Sequence, residues 1–290
     1  MQKRRSVQSG TLFPADPAPL WETHNVFSDH YLRERLPRSS FWPTDEASEP
    51  IRQKCQALWD KVYFGLTQGH EAKTRHELID KVLNILGFEF LPNETLPTSG
   101  LRKEPDYLLF ADQETKDRVF AQPSIAQFEA AVAVLEAKRL KHNLGEVSKK
   151  ETPGRFGHQQ IRDYLSHATD ISGRPFFRWA ILTNGKLWRL YCRDAPPDDY
   201  FELNFERAIR DSNEFKTFIS LFSPVVFAKD AEGRCGLDEI RDAIESVCRS
   251  PIDPYLDLAA PYDQLRVMQA LDAAIAEIKD SDRPPLFILS

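Results

Sequence analysis

The chain has 290 residues, of which 41% are hydrophobic and 28% charged, and its formal net charge is −6. Such a composition is typical of a globular protein with one large domain or two smaller ones. No apolar run approaches the roughly 20 residues of a membrane-spanning helix, and the basic start MQKRRSVQSG lacks the apolar segment of a secretory signal. The cysteines are scattered without metal-ligand spacing. We therefore expect a cytoplasmic protein with reduced thiols and no membrane partner.

Residues 1–48 are predicted to form an N-terminal arm. Its segment VFSDHYLRERLP predicts a short amphipathic helix with Ser28 or Asp29 as N-cap, docked on the body of the protein or on a partner. A long packing helix follows in IRQKCQALWDKVYFGL. A second helix is predicted from Thr74 to Leu86, with Gly87 as its C-terminal stop. Glu77 is spaced to form a capping box with Thr74, a role compatible with a catalytic one.

Apolar segments in the middle of the chain predict a sheet. Strands are expected in FEFLPN, PDYLLFA, AVAVLEAK, RWAILTN and KLWRLYC, with the helix HQQIRDYLSHA before the last two. Asn184-Gly185 predicts a hairpin between those last two strands. This order predicts an α/β fold over residues 49–195, with a mixed β-sheet flanked by helices. Residues 200–290 read as a helical extension or a linker to a downstream region, after a soft boundary near residues 195–200.

The strand AVAVLEAK carries the main functional signal. It is apolar until Glu136 and Lys138, which lie two positions apart and therefore point to the same face of a strand. Asp106 begins the strand PDYLLFA and is expected at the same edge of the sheet. Two carboxylates there, with the Ala137 carbonyl, would suit Mg²⁺, which prefers oxygen ligands. The same residues also fit an ordinary strand-end ion pair, with Asp106 elsewhere.

A basic segment and a polar helix follow this strand. In an otherwise acidic chain, only Glu146 and Glu151 offset the cations between residues 138 and 162. Such a cluster can bind nucleic-acid phosphates, and it can also be a solvated loop. In the following helix, Gln160 and Tyr164 are four residues apart and share one face, where they can contact phosphate or bases. The predicted DNA-binding residues are Arg139, Lys141, Lys149, Lys150, Arg155, Gln160, Arg162 and Tyr164.

Together these motifs resemble the PD-(D/E)xK nuclease superfamily, which has the restriction-endonuclease-like fold. The matching residues are Glu77, Pro105-Asp106, Glu136-Ala137-Lys138, and Gln160 to Tyr164, the last similar to the QxxxY motif of RecB-like members. Residues 74–192 resemble the N-terminal nuclease portion of type I and type IIG restriction-modification polypeptides. The resemblance implies Mg²⁺-dependent or Mn²⁺-dependent cleavage of double-stranded DNA that leaves a 5′-phosphate. It also implies Asp106 and Glu136 as metal ligands, Lys138 as catalytic lysine and Glu77 as auxiliary acid.

Other parts of a restriction system are not recognisable in the sequence. There is no GxxxxGK[ST] motif, no NPPY motif and no glycine-rich AdoMet loop. A methyltransferase and a target-recognition region would have to lie on a downstream continuation or on partner chains. Two other hypotheses stay open: a catalytically inactive DNA-binding module of the same fold that acts through partners, and a protein-interaction scaffold without salt-dependent DNA affinity.

Overall fold

The strands of the protein form one mixed sheet. The computed structural model describes residues 20–92, 95, 104–144 and 157–249, the last seven by backbone alone. The strands are β1 (Trp21–Glu22), β2 (Glu89–Pro92), β3 (Tyr107–Phe110), β4 (Ala133–Ala137), β5 (Trp179–Thr183), β6 (Leu187–Cys192) and β7 (Phe201–Asn204). Their order across the sheet is β1-β7-β6-β5-β4-β3-β2. β4 and β5 are parallel, whereas the other neighbouring pairs are antiparallel.

Helices cover both faces of this sheet. They are α1 (Asp45–Leu66), α2 (Glu71–Thr74), α3 (Asp80–Leu86), α4 (Gln113–Phe120), α5 (Ser124–Ala130), α6 (Gly157–His167), α7 (Phe205–Ala208), α8 (Ser212–Phe222), α9 (Pro224–Phe227) and α10 (Gly236–Arg249). Two π-helical turns cover Tyr31–Arg35 and Arg75–Ile79, and a 3₁₀ turn covers Leu36–Arg38. Tyr191 of β6 shares a core with α6, while Trp188, three residues earlier and thus on the opposite face, packs on Phe218 of α8. The predicted α/β class, a mixed sheet flanked by helices, is confirmed.

Strand β4 is buried along its whole length, as its apolar sequence predicted. β3 and β5 pair with its two edges, and each of its five side chains is buried. α6 connects β4 to β5, which supplies the crossover that two parallel strands require. Ile161 and Tyr164 of α6 pack in one core with Val134 of β4 and Leu182 of β5. This packing holds one face of α6 against the end of β4.

The hairpin predicted at Asn184-Gly185 is present between β5 and β6. Asn184 Oδ1 accepts hydrogen bonds from the backbone N–H groups of Lys186 and Leu187 at 3.0 and 2.7 Å. Gly185 has a φ of +84°, which favours glycine. A Cβ there would come within 2.5 Å of Leu78 Cδ2, so the turn packs closely against the π-helical turn Arg75–Ile79.

The N-terminal arm docks on the sheet. β1 pairs with β7, and Phe27 packs on Trp179 at a ring separation of 5.7 Å. Ser28 acts as the predicted cap, because its hydroxyl accepts from the Tyr31 N–H at 3.1 Å. The sequence pattern did not indicate β1 or β7, since strands of 2 and 4 residues carry too little alternation to detect. The predicted domain limits at residue 48 and at residues 195–200 therefore fall between elements that share one sheet.

The capping box predicted between Thr74 and Glu77 is wrong. Helical structure already begins at Glu71, so Thr74 has helical φ and ψ values of −61° and −42° and makes no cap hydrogen bond. Its hydroxyl instead accepts from the Leu140 N–H at 3.2 Å. The other end is as predicted, with Gly87 in the left-handed conformation at a φ of +90°.

The chain divides into two compact units, residues 1–240 and residues 241–290. Of the second unit, the structure describes only the last residues of α10, up to Arg249. The rest of the helical extension predicted for residues 200–290 lies outside the described residues. Within the described part of the chain, no helix has both the length and the apolar character to cross a membrane.

Candidate functional site

Glu136 and Lys138 form an ion pair at the end of β4. The alternation of a strand places both side chains on one face, and Lys138 Nζ lies 2.8 Å from Glu136 Oε1. The two residues are only 4% and 8% exposed. A buried charge is costly unless it is paired and hydrogen-bonded, so this pair needs further polar partners.

Asp106 lies beside this pair, immediately before β3. The antiparallel register pairs Tyr107 with Leu135, which brings Asp106 opposite the end of β4. Asp106 Oδ2 accepts a hydrogen bond from the Ala137 N–H at 2.8 Å. Because the N–H and C=O of a strand residue point to the same side, we expect the Ala137 carbonyl on this side too. Two carboxylates therefore meet at one edge of the sheet, as the sequence predicted for Asp106 and Glu136.

Two side chains of α6 complete the group. Gln160 Oε1 accepts a hydrogen bond from Lys138 Nζ at 2.9 Å. The Tyr164 hydroxyl lies 3.1 Å from Glu136 Oε2 and 3.1 Å from the Glu104 carbonyl oxygen. The spacing of four residues puts both side chains on the face of α6 that packs against β4. Tyr164 is 2% exposed, so it contacts the site from the core rather than from the surface.

The charges at this site are strongly coupled. Burial, together with the nearby charge of Asp106, raises the pKa of Glu136 to about 7, although Lys138 and Tyr164 both favour its ionised form. Burial alone would lower the pKa of Lys138, but Glu136, Glu71 and Asp106 outweigh it and the pKa is raised. Burial also raises the pKa of Tyr164, so its hydroxyl stays protonated. Lys138 therefore remains a cation, while Glu136 titrates near neutral pH.

Asp106, Glu136 and the Ala137 carbonyl provide oxygen atoms, the ligand type that hard divalent cations prefer. Among the described residues no group of three or more His, Cys, Asp or Glu side chains is placed to hold a metal. Mg²⁺, however, commonly uses only one or two carboxylates and takes its other ligands from water and phosphate. Asp106 raises the pKa of Glu136, which means that the two carboxylates repel each other. A divalent cation bound between them would relieve that repulsion.

Five polar side chains thus meet at one end of β3 and β4: Asp106, Glu136, Lys138, Gln160 and Tyr164. No protein-family model, curated protein or solved structure matches this chain.

Glu77, predicted as an auxiliary acid, is half-buried in the π-helical turn. Within the described residues, no hydrogen bond or ion pair joins it to Glu136 or Lys138. Glu71 lies close enough to influence the site electrostatically, since its charge contributes to the raised pKa of Lys138. Glu71 is six residues earlier, in the first turn of α2. Sequence spacing missed it because the helix begins before Thr74.

The predicted DNA-binding cations are placed differently from one another. Arg139 and Lys141 are exposed just beyond Lys138. Arg162 donates hydrogen bonds to the carbonyl oxygens of four residues, Cys192, Pro196, Pro197 and Asp199. These bonds hold its guanidinium against the loop before β7, which favours a structural role over a DNA contact. Lys149, Lys150 and Arg155 lie outside the described residues.

Backbone tethers fix the chain as it leaves β4. The Lys138 N–H donates to the Thr183 carbonyl at 2.7 Å, and the Leu140 N–H donates to Thr74 Oγ1. Asn184 Nδ2 donates to the His142 carbonyl at 2.8 Å. Residues 138–142 are thus held between the helical segment of Thr74 and the β5–β6 hairpin. This arrangement keeps Lys138 inside the site and turns Arg139 and Lys141 to the solvent.

Proposed function

We propose that this chain contains a metal-dependent DNA endonuclease domain of the PD-(D/E)xK, restriction-endonuclease-like superfamily, serving a restriction-modification or phage-defence system. The observation that carries the proposal is the hydrogen-bonded group of Glu136, Lys138, Gln160 and Tyr164, beside which Asp106 accepts from the Ala137 N–H. Asp106, Glu136 and Lys138 match positions of the nuclease motif, and Gln160 and Tyr164 match positions of the QxxxY motif. An ordinary strand-end ion pair does not require the second carboxylate, the amide and the phenol.

The order of the elements supports the same proposal. β2, β3 and β4 are consecutive antiparallel strands, and the crossover helix α6 leads to β5, which is parallel to β4. The proposed ligands come from the adjoining ends of β3 and β4, and the QxxxY residues come from α6. This sequence of elements is the one in which the family's motifs are expected.

The reaction proposed is hydrolysis of a phosphodiester. The oxygen of an attacking water forms a bond to phosphorus, the bond from phosphorus to the 3′ oxygen breaks, and that oxygen takes up a proton while the water loses one to solvent. A Mg²⁺ or Mn²⁺ ion held by Asp106, Glu136 and the Ala137 carbonyl would neutralise phosphate charge and make the water more acidic. The product end is then a 5′-phosphate.

Lys138 supplies the fixed positive charge. Its ammonium has three N–H donors, two of which bind Glu136 and Gln160, so a third is available to the attacking water or to a phosphate oxygen. Glu136 and Gln160 thereby fix the direction of that third donor before DNA binds. A preorganised donor of this kind typically contributes about 3 kcal/mol to transition-state binding.

Incubation of the protein with supercoiled plasmid and Mg²⁺ or Mn²⁺ tests the proposal. We expect metal-dependent nicking or linearisation, and a rate lower by about 100-fold in Lys138→Ala and Asp106→Ala. Lys186→Ala is a matched control, because Lys186 of the β5–β6 hairpin pairs with Glu206 of α7 and not with a residue of this site. The nuclease proposal fails if no metal supports cleavage, or if Lys138→Ala cuts as fast as the parent.

One observation favours a second candidate, a catalytically inactive DNA-binding module of the same fold. Arg75 Nη1 lies 2.7 Å from Asp106 Oδ1, so a cation of the protein already binds one proposed metal ligand. In such a module, Asp106 and Glu136 would stabilise the fold and would not bind a metal. Asp106→Ala and Lys138→Ala would then leave DNA affinity unaltered, and no metal would induce cleavage.

A further inference from the structure

Arg75 forms a close set of contacts with the start of β3. Its Nη1 lies 2.7 Å from Asp106 Oδ1, and its Nη2 lies 3.4 Å from the Asp106 carbonyl oxygen. The guanidinium carbon is 5.0 Å from the centre of the Tyr107 ring, and Nε lies 3.4 Å from the Tyr107 hydroxyl. The side chains of Arg75 and Asp106 are only 15% and 13% exposed. The pair is therefore better shielded from water than a surface ion pair.

A rare helical turn places Arg75 in this position. The π-helical turn Arg75–Ile79 interrupts the helix between α2 and α3, and π turns of this kind occur frequently at functional sites. The Tyr107 hydroxyl donates to Asp80 Oδ1 at 2.5 Å, which joins the residue after this turn to the ring under Arg75. The π-helical turn, the Tyr107 ring and the Asp106 carboxylate thus hold Arg75 in place.

These contacts leave Asp106 with both oxygen atoms in use. The Ala137 N–H binds Oδ2, and Arg75 binds Oδ1. A divalent cation that approaches Asp106 meets the guanidinium at Oδ1 or the Ala137 N–H at Oδ2. At either oxygen it shares the carboxylate with the charge of Arg75, and two cations at one carboxylate repel each other. The released guanidinium, in turn, is well suited to bind a phosphate with two parallel hydrogen bonds.

We propose that Arg75 is the resident counter-ion of Asp106, and that DNA and metal bind cooperatively because a DNA phosphate takes Arg75 away from that carboxylate. This inference rests on the proposed nuclease function and adds a residue that the sequence motifs do not contain. Before DNA binds, Arg75 keeps the metal affinity of the site low. When a phosphate draws the guanidinium away, Asp106 becomes free to bind the metal, so the two ligands favour each other.

Two titrations, for which we expect opposite changes in affinity, test the role of Arg75. Free Mn²⁺ is measured by electron paramagnetic resonance in the absence of DNA, and Arg75→Met is expected to bind Mn²⁺ at least tenfold more tightly than the parent. Binding of a labelled DNA duplex is measured by fluorescence anisotropy with EDTA present, and Arg75→Met is expected to bind it three- to tenfold more weakly. A residue that merely stabilised the fold would not strengthen metal binding while weakening DNA binding.

Methionine retains an unbranched stem to pack on Tyr107 but removes the charge. Arg210→Met is the matched control, since Arg210 pairs with Asp60 at 2.6 Å on a more exposed surface, and it should leave Mn²⁺ affinity at the parent value. If Arg75→Met does not fold, Arg75→Lys replaces it. We expect its Mn²⁺ affinity to be higher than that of the parent, but by less than tenfold. A folded Arg75 variant that binds Mn²⁺ no more tightly than the parent overturns the inference.

Failure of this inference and failure of the nuclease proposal give different results. If Asp106→Asn and Glu136→Gln bind Mn²⁺ as well as the parent, the metal site itself is wrong and both proposals fall. If these variants lose Mn²⁺ binding and Arg75→Met gains none, only the role of Arg75 is wrong.

Discussion

The Tyr164 hydroxyl lies 3.1 Å from Glu136 Oε2, so the crossover helix α6 contributes a hydrogen-bond donor to the carboxylate at the end of β4. Burial favours the neutral form of Glu136, and Tyr164 and Lys138 both oppose that effect. The protonation of this carboxyl therefore depends on a contact between a helix and a strand 28 residues apart in the chain.

Tyr164→Phe should move the pH dependence of cleavage. The hydroxyl stabilises the ionised form of Glu136, so its loss raises the pKa of that carboxyl further. If catalysis requires ionised Glu136, the rising limb of the pH–rate profile shifts to higher pH. Single-turnover nicking measured from about pH 5 to 9 gives this profile. Tyr63→Phe, in α1 beside Trp59, is the control, and an unshifted profile for Tyr164→Phe would rule out the assigned contact.

Gln160 and Gln159 provide a neighbouring pair with different expected effects. Gln160 accepts from Lys138 Nζ at 2.9 Å, whereas Gln159 is exposed. Gln160→Ala removes one of the two acceptors that orient the ammonium, and we expect a cleavage rate lower by roughly tenfold, equivalent to about 1.4 kcal/mol. Gln159→Ala should cut at the parent rate. Equal rates for both variants, measured on one labelled duplex, would show that Gln160 does not position Lys138.

Gly157→Ala should disturb Lys138 through packing. A Cβ at this first residue of α6 would lie 2.8 Å from Leu182 Cδ1 and 3.2 Å from Lys138 Cε. Overpacking of a core typically costs about 1–3 kcal/mol. We therefore expect the free energy of unfolding of Gly157→Ala to be lower than that of the parent by roughly this amount. Gly65→Ala in α1 is the contrasting control, because its nearest neighbour is Lys73 Nζ at 3.5 Å. There alanine should stabilise by about 0.5–1 kcal/mol. Urea unfolding of both variants distinguishes the two effects.

The sequence predicted those parts of the site that depend on regular strand geometry. Glu136 and Lys138 follow from the alternation of a strand, and Asp106 follows from its place at the start of the neighbouring strand. The sequence did not predict that Arg75 and Glu71 lie near the site. Helical structure begins before Thr74, and a π turn alters the 3.6-residue period, so helical spacing counted from Thr74 does not indicate which side chains face the site. Irregular helical geometry is invisible to a periodicity argument.

The short strands β1 and β7 were not predicted, for a different reason. β7 has four residues, and its place in the sheet is set by pairing with β6, the preceding strand, and with β1, which is distant in sequence. Pairing of this kind depends on tertiary contacts rather than on local propensity. The hairpin at Asn184-Gly185 was predictable because its signal is local: a glycine with positive φ beside an asparagine that binds its own turn.

The raised pKa of Glu136 leads to a last prediction, on stability. An unfolded glutamate has a pKa near 4.5, and burial raises that of folded Glu136 to about 7. Between these values the folded protein binds more protons than the unfolded chain, so the free energy of unfolding should fall as pH rises. The fall attributable to this carboxyl is at most about 3 kcal/mol, and it is complete above the folded pKa. Below about pH 4.5 this contribution favours the folded state in full.

Mg²⁺ should reverse this loss, because a metal binds the ionised carboxylate and competes with its proton. The increase in unfolding temperature caused by Mg²⁺ is therefore expected to grow from about pH 5 to pH 8, the window in which folded Glu136 loses its proton. Calorimetric scans at several pH values, with and without Mg²⁺, measure this increase. Glu136→Gln should show no increase at any pH. An equal increase at all pH values, or one that persists in Glu136→Gln, would mean that Mg²⁺ stabilises the protein at a different site.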